Sequence, residues 1–170
     1  MRVRAAVTAD ATGIARVHVA SWQAAYRGLM PQDVLDGLSI ADRAERWVGI
    51  IDDPHPLTLA TLVAADGDEI VGWVSFGAGR DEGTDAAGEI YGLYAHPASW
   101  SRGVGHALMG AAETALREAG HHEAFLWVLD GNDRADAFYA RHGWQLDGGT
   151  KIDERPDLTL REHRRAKRLG

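Results

Sequence analysis

The sequence predicts an α/β (α+β) domain built on a mixed sheet. Three observations carry that expectation. Helical and extended patterns alternate along 170 residues, a length that suits one domain over 1–170. A strong β-hairpin pattern occupies 57–77. A long helix of period 3.6 then follows the glycine pair Gly103 and Gly105.

Residues 3–7, VRAAV, read as the first strand. Asp10 stands where an N-cap would open a helix carrying Ile14, Val17, His18, Ser21, Trp22 and Tyr26 on neighbouring turns, and Gly28 ends it. Pro31 opens a short helix, and Ala44, Trp47, Val48 and Ile51 space a third over 41–51. Two strands at 57–66 and 69–77 are joined through Asp66-Gly67-Asp68. An acidic loop from Arg80 to Gly88 leads into a strand at 89–97 that Pro97 stops. Val104, Leu108, Ala111, Ala112, Ala115, Leu116 and Ala119 then give the long helix its apolar face, and Gly120 ends it. A buried strand is expected at 123–130, followed by a helix capped by Asn132 or Asp133 and running to Arg141. Strands at 144–148 and 157–164 complete the order.

Composition excludes several classes. Hydrophobic residues at 45% and charged residues at 25% fit a globular chain and exclude a disordered one. There is no cysteine, so disulfides, thiolate metal sites and cysteine nucleophiles are out. No histidine pair has metal-ligand spacing with a third ligand, and no metal is expected. Neither a signal-peptide core nor an 18-residue apolar run occurs, so the expectation is a cytoplasmic protein with no membrane partner. The net charge is −7. Residues 1–154 hold 12 basic and 23 acidic groups, the last sixteen hold six and two. Such an acidic body disfavours nucleic acid and favours cationic small molecules. The basic end, with Arg161, Arg164, Arg165, Lys167 and Arg168, reads as a solvated terminal stretch; phosphate contact is its rival reading.

A strand that passes through a glycine turn into a helix N-terminus makes an anion site. No Gly-Lys-Ser/Thr occurs, so this is not a Walker A loop. A dinucleotide fingerprint would want glycine where Leu108 stands. Glycines that only shape a turn are the remaining alternative on this segment alone. No Gly-x-Ser-x-Gly elbow supports serine-hydrolase chemistry.

Residues 100–105, Trp-Ser-Arg-Gly-Val-Gly, resemble motif A of the GNAT superfamily of N-acetyltransferases, Q/R-x-x-G-x-G/A, with tryptophan at its first position. Residues 127–144, WVLDGNDRADAFYARHGW, resemble the family's strand–Asn–helix–Tyr–Gly-Phe segment, with Trp144 for the phenylalanine. The resemblance is strong over 89–148 and weaker over SWQAAYRGLMP. It implies a mostly antiparallel sheet of six or seven strands flanked by helices, with acetyl-CoA in a splay between the fourth and fifth. It implies that the backbone of Leu93, Tyr94 and Ala95 bonds the pantetheine, and that the Leu93 amide polarises the thioester carbonyl. The amides of Arg102, Gly103, Val104, Gly105 and His106 would hold the pyrophosphate, and Asn132 the pantetheine arm. Tyr139 matches the general acid, and Glu89 stands where members often carry a base.

The activity implied is acetyl transfer from acetyl-CoA to a primary amine by direct attack in a ternary complex. A non-catalytic acyl-CoA-binding or regulatory module is the alternative. An alkylamine has a pKa of roughly 10.4 and arrives as an ammonium, so a proton acceptor is needed. Trp22 and Tyr26, four apart on the first helix, are candidates for the substrate pocket floor, with core packing as the competing reading. Acidic side chains at 81, 82, 85 and 89 lead to the expectation of cationic acceptors. The acceptor is a small-molecule or peptide amine of open identity, and a homodimer is compatible with the resemblance.

Overall fold

A computed structural model describes residues 1–155 and 158–170. Its strands are β1 (Arg2–Ala5), β2 (Thr58–Asp66), β3 (Glu69–Ala78), β4 (Gly88–Ala95), β5 (Glu123–Leu129), β6 (Gln145–Arg155) and β7 (Leu158–Arg168). Its helices are α1 (Ala11–Ala25), α2 (Gln32–Asp36), α3 (Ile40–Asp52), α4 (Val104–Glu118) and α5 (Asp133–Arg141). The strands form one seven-stranded sheet in the order β1-β2-β3-β4-β5-β7-β6. Every neighbouring pair is antiparallel except β4–β5, which is parallel. That pair joins only Gly88–Ile90 to Ala124–Leu126, and beyond it the two strands part. One residue drives the parting. Ser75 pairs with Gly92 and Phe76 with Ile90, so Tyr91 is an extra residue that bends β4 away from β5.

Side chains alternate across the sheet and feed two separate cores. On one face Val74, Phe76, Ile90, Leu126 and Val128 pack under Leu108, Met109, Ala112 and Leu116 of α4. On the other, Val63, Ile70 and Trp73 meet Ile14 and Val17 of α1 and Trp47 of α3. Close approach of α4 requires Gly72, where a Cβ would lie 2.6 Å from a Val104 methyl. A smaller cluster of Tyr26, Met30, Leu35, Leu129 and Leu160 ties the end of α1 to β5 and β7.

Several expectations are corrected. The first strand is Arg2–Ala5 rather than 3–7. Asp10 does not cap α1. Its carboxylate accepts from the Val7 amide at 2.9 Å and from the Arg4 guanidinium at 2.6 and 2.8 Å, pinning the turn before the helix to β1. The strand expected at 144–148 runs from Gln145 to Arg155, because a register shift between Leu146 and Thr150 absorbs the glycine pair 148–149. The basic end is no solvated tail. It forms β7, which lies between β5 and β6, and Arg164, Arg165 and Lys167 are paired within the fold. Arg165 is buried, with Nε on Asp136 at 2.7 Å and a terminal nitrogen on the Trp144 carbonyl at 2.9 Å. Lys167 forks onto Glu113 at 2.7 and 2.8 Å. Asp157, where that last strand was expected to begin, lies outside the described residues.

Candidate active site

The parting of β4 from β5 opens a cleft of about 680 Å³. Its floor is the two strands. Its walls are the N-terminus of α4, the first turns of α5, the end of α1, and Lys151 and Glu162 from β6 and β7.

One end is built to hold an anion. Gly103, the N-cap of α4, has φ +83, a left-handed conformation that glycine takes without strain. No side chain caps the helix, and its first internal bond runs from the Ala107 amide to the Gly103 carbonyl at 3.0 Å. The amides of Gly103, Val104, Gly105 and His106 therefore have no acceptor among the described residues. Together with the helix dipole they form an anion cradle. A Cβ on Gly105 would stand 3.1 Å from the Phe138 ring, so α5 packs closely on the cradle. His142 Nδ1 donates to the Phe138 carbonyl at 2.8 Å, which leaves its Nε2 to accept from His106 Nδ1 at 3.0 Å. That chain links the first turn of α4 to the end of α5.

Cationic charge reaches the cradle from an element the sequence reading overlooked. The side chain of Arg102 is exposed and stays out of the cleft lining. Arg134 and Arg141 of α5 line the cleft instead. Arg134 lies over the Trp100 ring at 4.0 Å, and Trp100 Nε1 donates to the Ala95 carbonyl at 2.8 Å. The tryptophan at the motif's first position thus seats a neighbour's guanidinium rather than meeting an anion itself. The signal available in the sequence was Arg134, two residues after Asn132.

Along the floor, the His96 amide bonds the Val71 carbonyl at 2.9 Å. Antiparallel ladders alternate, so Tyr94 exchanges its backbone bonds with Trp73, while Leu93 and Ala95 turn theirs toward the open side. The Leu93 amide and carbonyl and the Ala95 amide are free for a ligand. The backbone of Tyr94 is spent on β3, which corrects the expectation for that residue. Its side chain enters the cleft, and its hydroxyl lies 2.9 Å from that of Tyr26. Asn132 Oδ1 caps α5 through the Ala135 amide at 3.2 Å, leaving its side-chain N–H donors to face the cleft.

Tyr139 is 9% exposed and lines the cleft, and its hydroxyl has no hydrogen-bond partner among the described residues. Burial first, then the neighbouring Tyr94 and Asp136, push its pKa up, so it keeps its proton at neutral pH. Phe138 lines the cleft beside it, the two rings 5.3 Å apart.

Glu89 also lines the cleft but is 2% exposed, not a strand-end surface group. Its carboxylate accepts from the Arg80 amide at 2.8 Å, from Nε at 3.2 Å and from a terminal nitrogen at 2.7 Å. Asp81 is likewise engaged, by Trp127 Nε1 at 2.9 Å. Two of the four acidic side chains at 81, 82, 85 and 89 are thus engaged internally. Tyr26 lines the cleft as expected of a pocket floor; Trp22 stands behind it, edge-on at 5.2 Å, and takes no part in the lining. Behind both, burial and then Arg43 lower the His18 pKa to about 3, so this imidazole is neutral. Among the described residues no cluster of three or more metal-ligating side chains forms. None of the described helices is long and apolar enough to cross a membrane.

The model of the acetyltransferase (GNAT) family matches residues 20–144, most of the chain and all of this cleft's donor end. The chain belongs to the GNAT family. Curated relatives agree. The chain is 29% identical over 130 residues to the N-acetyltransferase YuaI of Bacillus subtilis, covering 76% of this chain and 72% of the relative. It is 34% identical over 165 residues to a mycothiol acetyltransferase of a Nocardioides strain, covering 91% of this chain but only 53%, about half, of that protein. Among solved structures, YncA of Salmonella typhimurium with acetyl-CoA superposes with a TM-score of 0.72 at 18% identity, over 100% of this chain and 94% of that one. The splayed β4–β5 pair and the glycine-opened α4 of this GNAT chain are therefore the family's fold, reached with its own tryptophan and arginine at the anion end.

Proposed function

We propose that this chain, as one acetyltransferase domain over 1–170, moves an acetyl group from acetyl-CoA to a primary amine by direct attack in a ternary complex. One observation supports this above others. The uncapped amides of α4, the unpaired edge of β4 and the free hydroxyl of Tyr139 open on a single cleft. The donor set suits an anionic, amide-rich ligand such as coenzyme A: orphan N–H groups and two guanidinium groups at one end, strand-edge backbone in the middle.

Acetyl-CoA, when bound, supplies an electrophilic thioester carbonyl and a thiolate leaving group. The amides from Gly103 to His106, with Arg134 and Arg141, hold its pyrophosphate. Leu93, the Ala95 amide and the Asn132 amide group bind the pantetheine as an added strand. The Leu93 N–H serves as a single oxyanion donor. The acceptor's ammonium loses one proton through water before it attacks. Tyr139 gives its proton to the departing sulfur, and the second proton shed by the nitrogen returns to Tyr139. The engaged carboxylate of Glu89 holds Arg80 and the 80–88 loop at the acceptor end.

The experiment is release of CoA thiol by the wild-type protein with and without amines. Amine-dependent release matched by acetylated amine is the expected result. Tight acetyl-CoA binding without release, across a broad amine panel, would instead indicate a non-catalytic acyl-CoA-binding module.

A further inference from the structure

The cleft's acceptor end already contains a primary ammonium, and it belongs to the protein. The chain has two lysines, Lys151 and Lys167. Lys167 is forked tightly onto Glu113, but Lys151 reaches into the cleft lining. Its Nζ lies 3.6 Å from Glu162 Oε2 and 4.5 Å from the centre of the Trp127 ring. The first distance is beyond a hydrogen bond, and Glu162 accepts no side-chain hydrogen bond among the described residues. Arg80 also lines the cleft, Arg164 lies 5.7 Å from the centre of the Trp127 ring, and both are held by carboxylates. Arg80 is bound by Glu89, and Arg164 Nε is bound by Asp147 at 2.8 Å. Glu162 is thus the cleft carboxylate with spare acceptor capacity. It faces Lys151 across the β6–β7 ladder, and one strand over Trp127 offers an aromatic face.

We propose that Glu162 and the face of Trp127 form the subsite for the acceptor's ammonium, that Lys151 is its resident stand-in, and that the acceptor is a primary alkylammonium. This rests on the acetyl-transfer reading above. A carboxylate at one side and an aromatic face at the other select a compact alkyl cation and disfavour anionic amines. The acceptor displaces Lys151, whose long ion pair with Glu162 is a weak competitor. Lys151 stands on the edge strand β6, which carries none of the backbone groups proposed for the acetyl-CoA end.

The test is calorimetric titration of 1-aminopentane into wild type, Glu162→Gln, Glu162→Asp and Lys151→Met, with pentanoate as the anionic control. The same variants are assayed for amine-dependent CoA release and for thermal melting. Glu162→Gln should weaken amine binding by at least about tenfold, with partial recovery in Glu162→Asp. Lys151→Met should tighten it by about two- to fivefold, because it removes the competitor. The KM for amine should follow these changes, and the KM for acetyl-CoA should not move. Absence of 1-aminopentane binding to wild type, affinity in Glu162→Gln within twofold of wild type, or weaker binding in Lys151→Met would overturn the subsite. The Lys151→Met result decides the matter even if Glu162→Gln melts at assay temperature. If 1-aminopentane binding depends on Glu162 while no amine releases CoA, the subsite stands and the transfer reading fails. If CoA is released but Glu162→Gln changes neither affinity nor KM, the transfer reading stands and the subsite fails.

Discussion

Tyr139→Phe separates catalysis from packing at one atom. The Tyr139 ring is buried, and its hydroxyl opens on the cleft and has no hydrogen-bond partner among the described residues. Its removal orphans nothing. Stability should therefore stay within about 1 kcal/mol of wild type, well short of the cost of breaking a buried bond. At this chain length that is a shift of about 2–4 °C or less in Tm. A general acid contributes 10² to 10⁴-fold, or about 2.7–5.4 kcal/mol of barrier. A thiol with a pKa of about 8.5 leaves readily and water can substitute as acid, so the effect is discounted below that range and kcat should fall by at least about tenfold. Steady-state CoA release and thermal melting on the same preparation read both numbers. A wild-type kcat, or an unchanged kcat with a stability loss of about 1–3 kcal/mol, would show that the hydroxyl serves packing and not the reaction.

Gly103→Val forces a β-branched residue into the left-handed region and points its Cβ into open space at the cradle, so acetyl-CoA affinity should fall by about tenfold or more, about 1.4 kcal/mol. Calorimetry showing undiminished affinity in a folded variant would refute the pyrophosphate assignment. Glu89→Gln leaves the Arg80 guanidinium without its carboxylate, and stability should drop by about 1–3 kcal/mol, less than for a fully buried pair because Arg80 is half exposed. Denaturant titration with an unchanged midpoint would argue against that role. Burial pulls the His163 pKa down, but hydrogen bonds to Asp130 and Asp136 outweigh it and raise the value above 6.5. A raised folded pKa means stabilisation that is complete below pH 6.5 and lost as pH climbs through the folded value. His163→Leu should therefore cost about 0.5–1 kcal/mol near pH 6 and less near pH 9, and parallel pH curves for the two proteins would contradict the linkage.

Elements whose partners are near in sequence were readable without the structure. The apolar spacing that ends at Gly120 became α4, and the pattern around Gly67 became the β2–β3 hairpin. The end of the chain was not readable, for a physical reason. Arg164, Arg165 and Lys167 look like a solvated cationic run, yet their neutralising carboxylates, Asp147, Asp136 and Glu113, lie 17 to 54 residues away. Only the sheet order brings those charges together. At the site, motif spacing located the amide cradle, because glycines act through backbone. It did not locate Arg134 or Glu162, which depend on which helix and strand close over the splay. The Tyr94 backbone was misassigned because ladder parity is set by β3, one strand away, and by the bulge at Tyr91.

In the proposed reaction the β4–β5 splay and the α4 N-terminus form the acetyl-donor site. The most direct measurement is backbone amide exchange, residue by residue, in the wild-type protein with and without acetyl-CoA. Protection should rise at Leu93, Ala95 and the four amides from Gly103 to His106, with Tyr94 unchanged because its amide is already bonded to β3. Saturating acetyl-CoA that leaves those four amides unprotected, or protects a different surface, would contradict it.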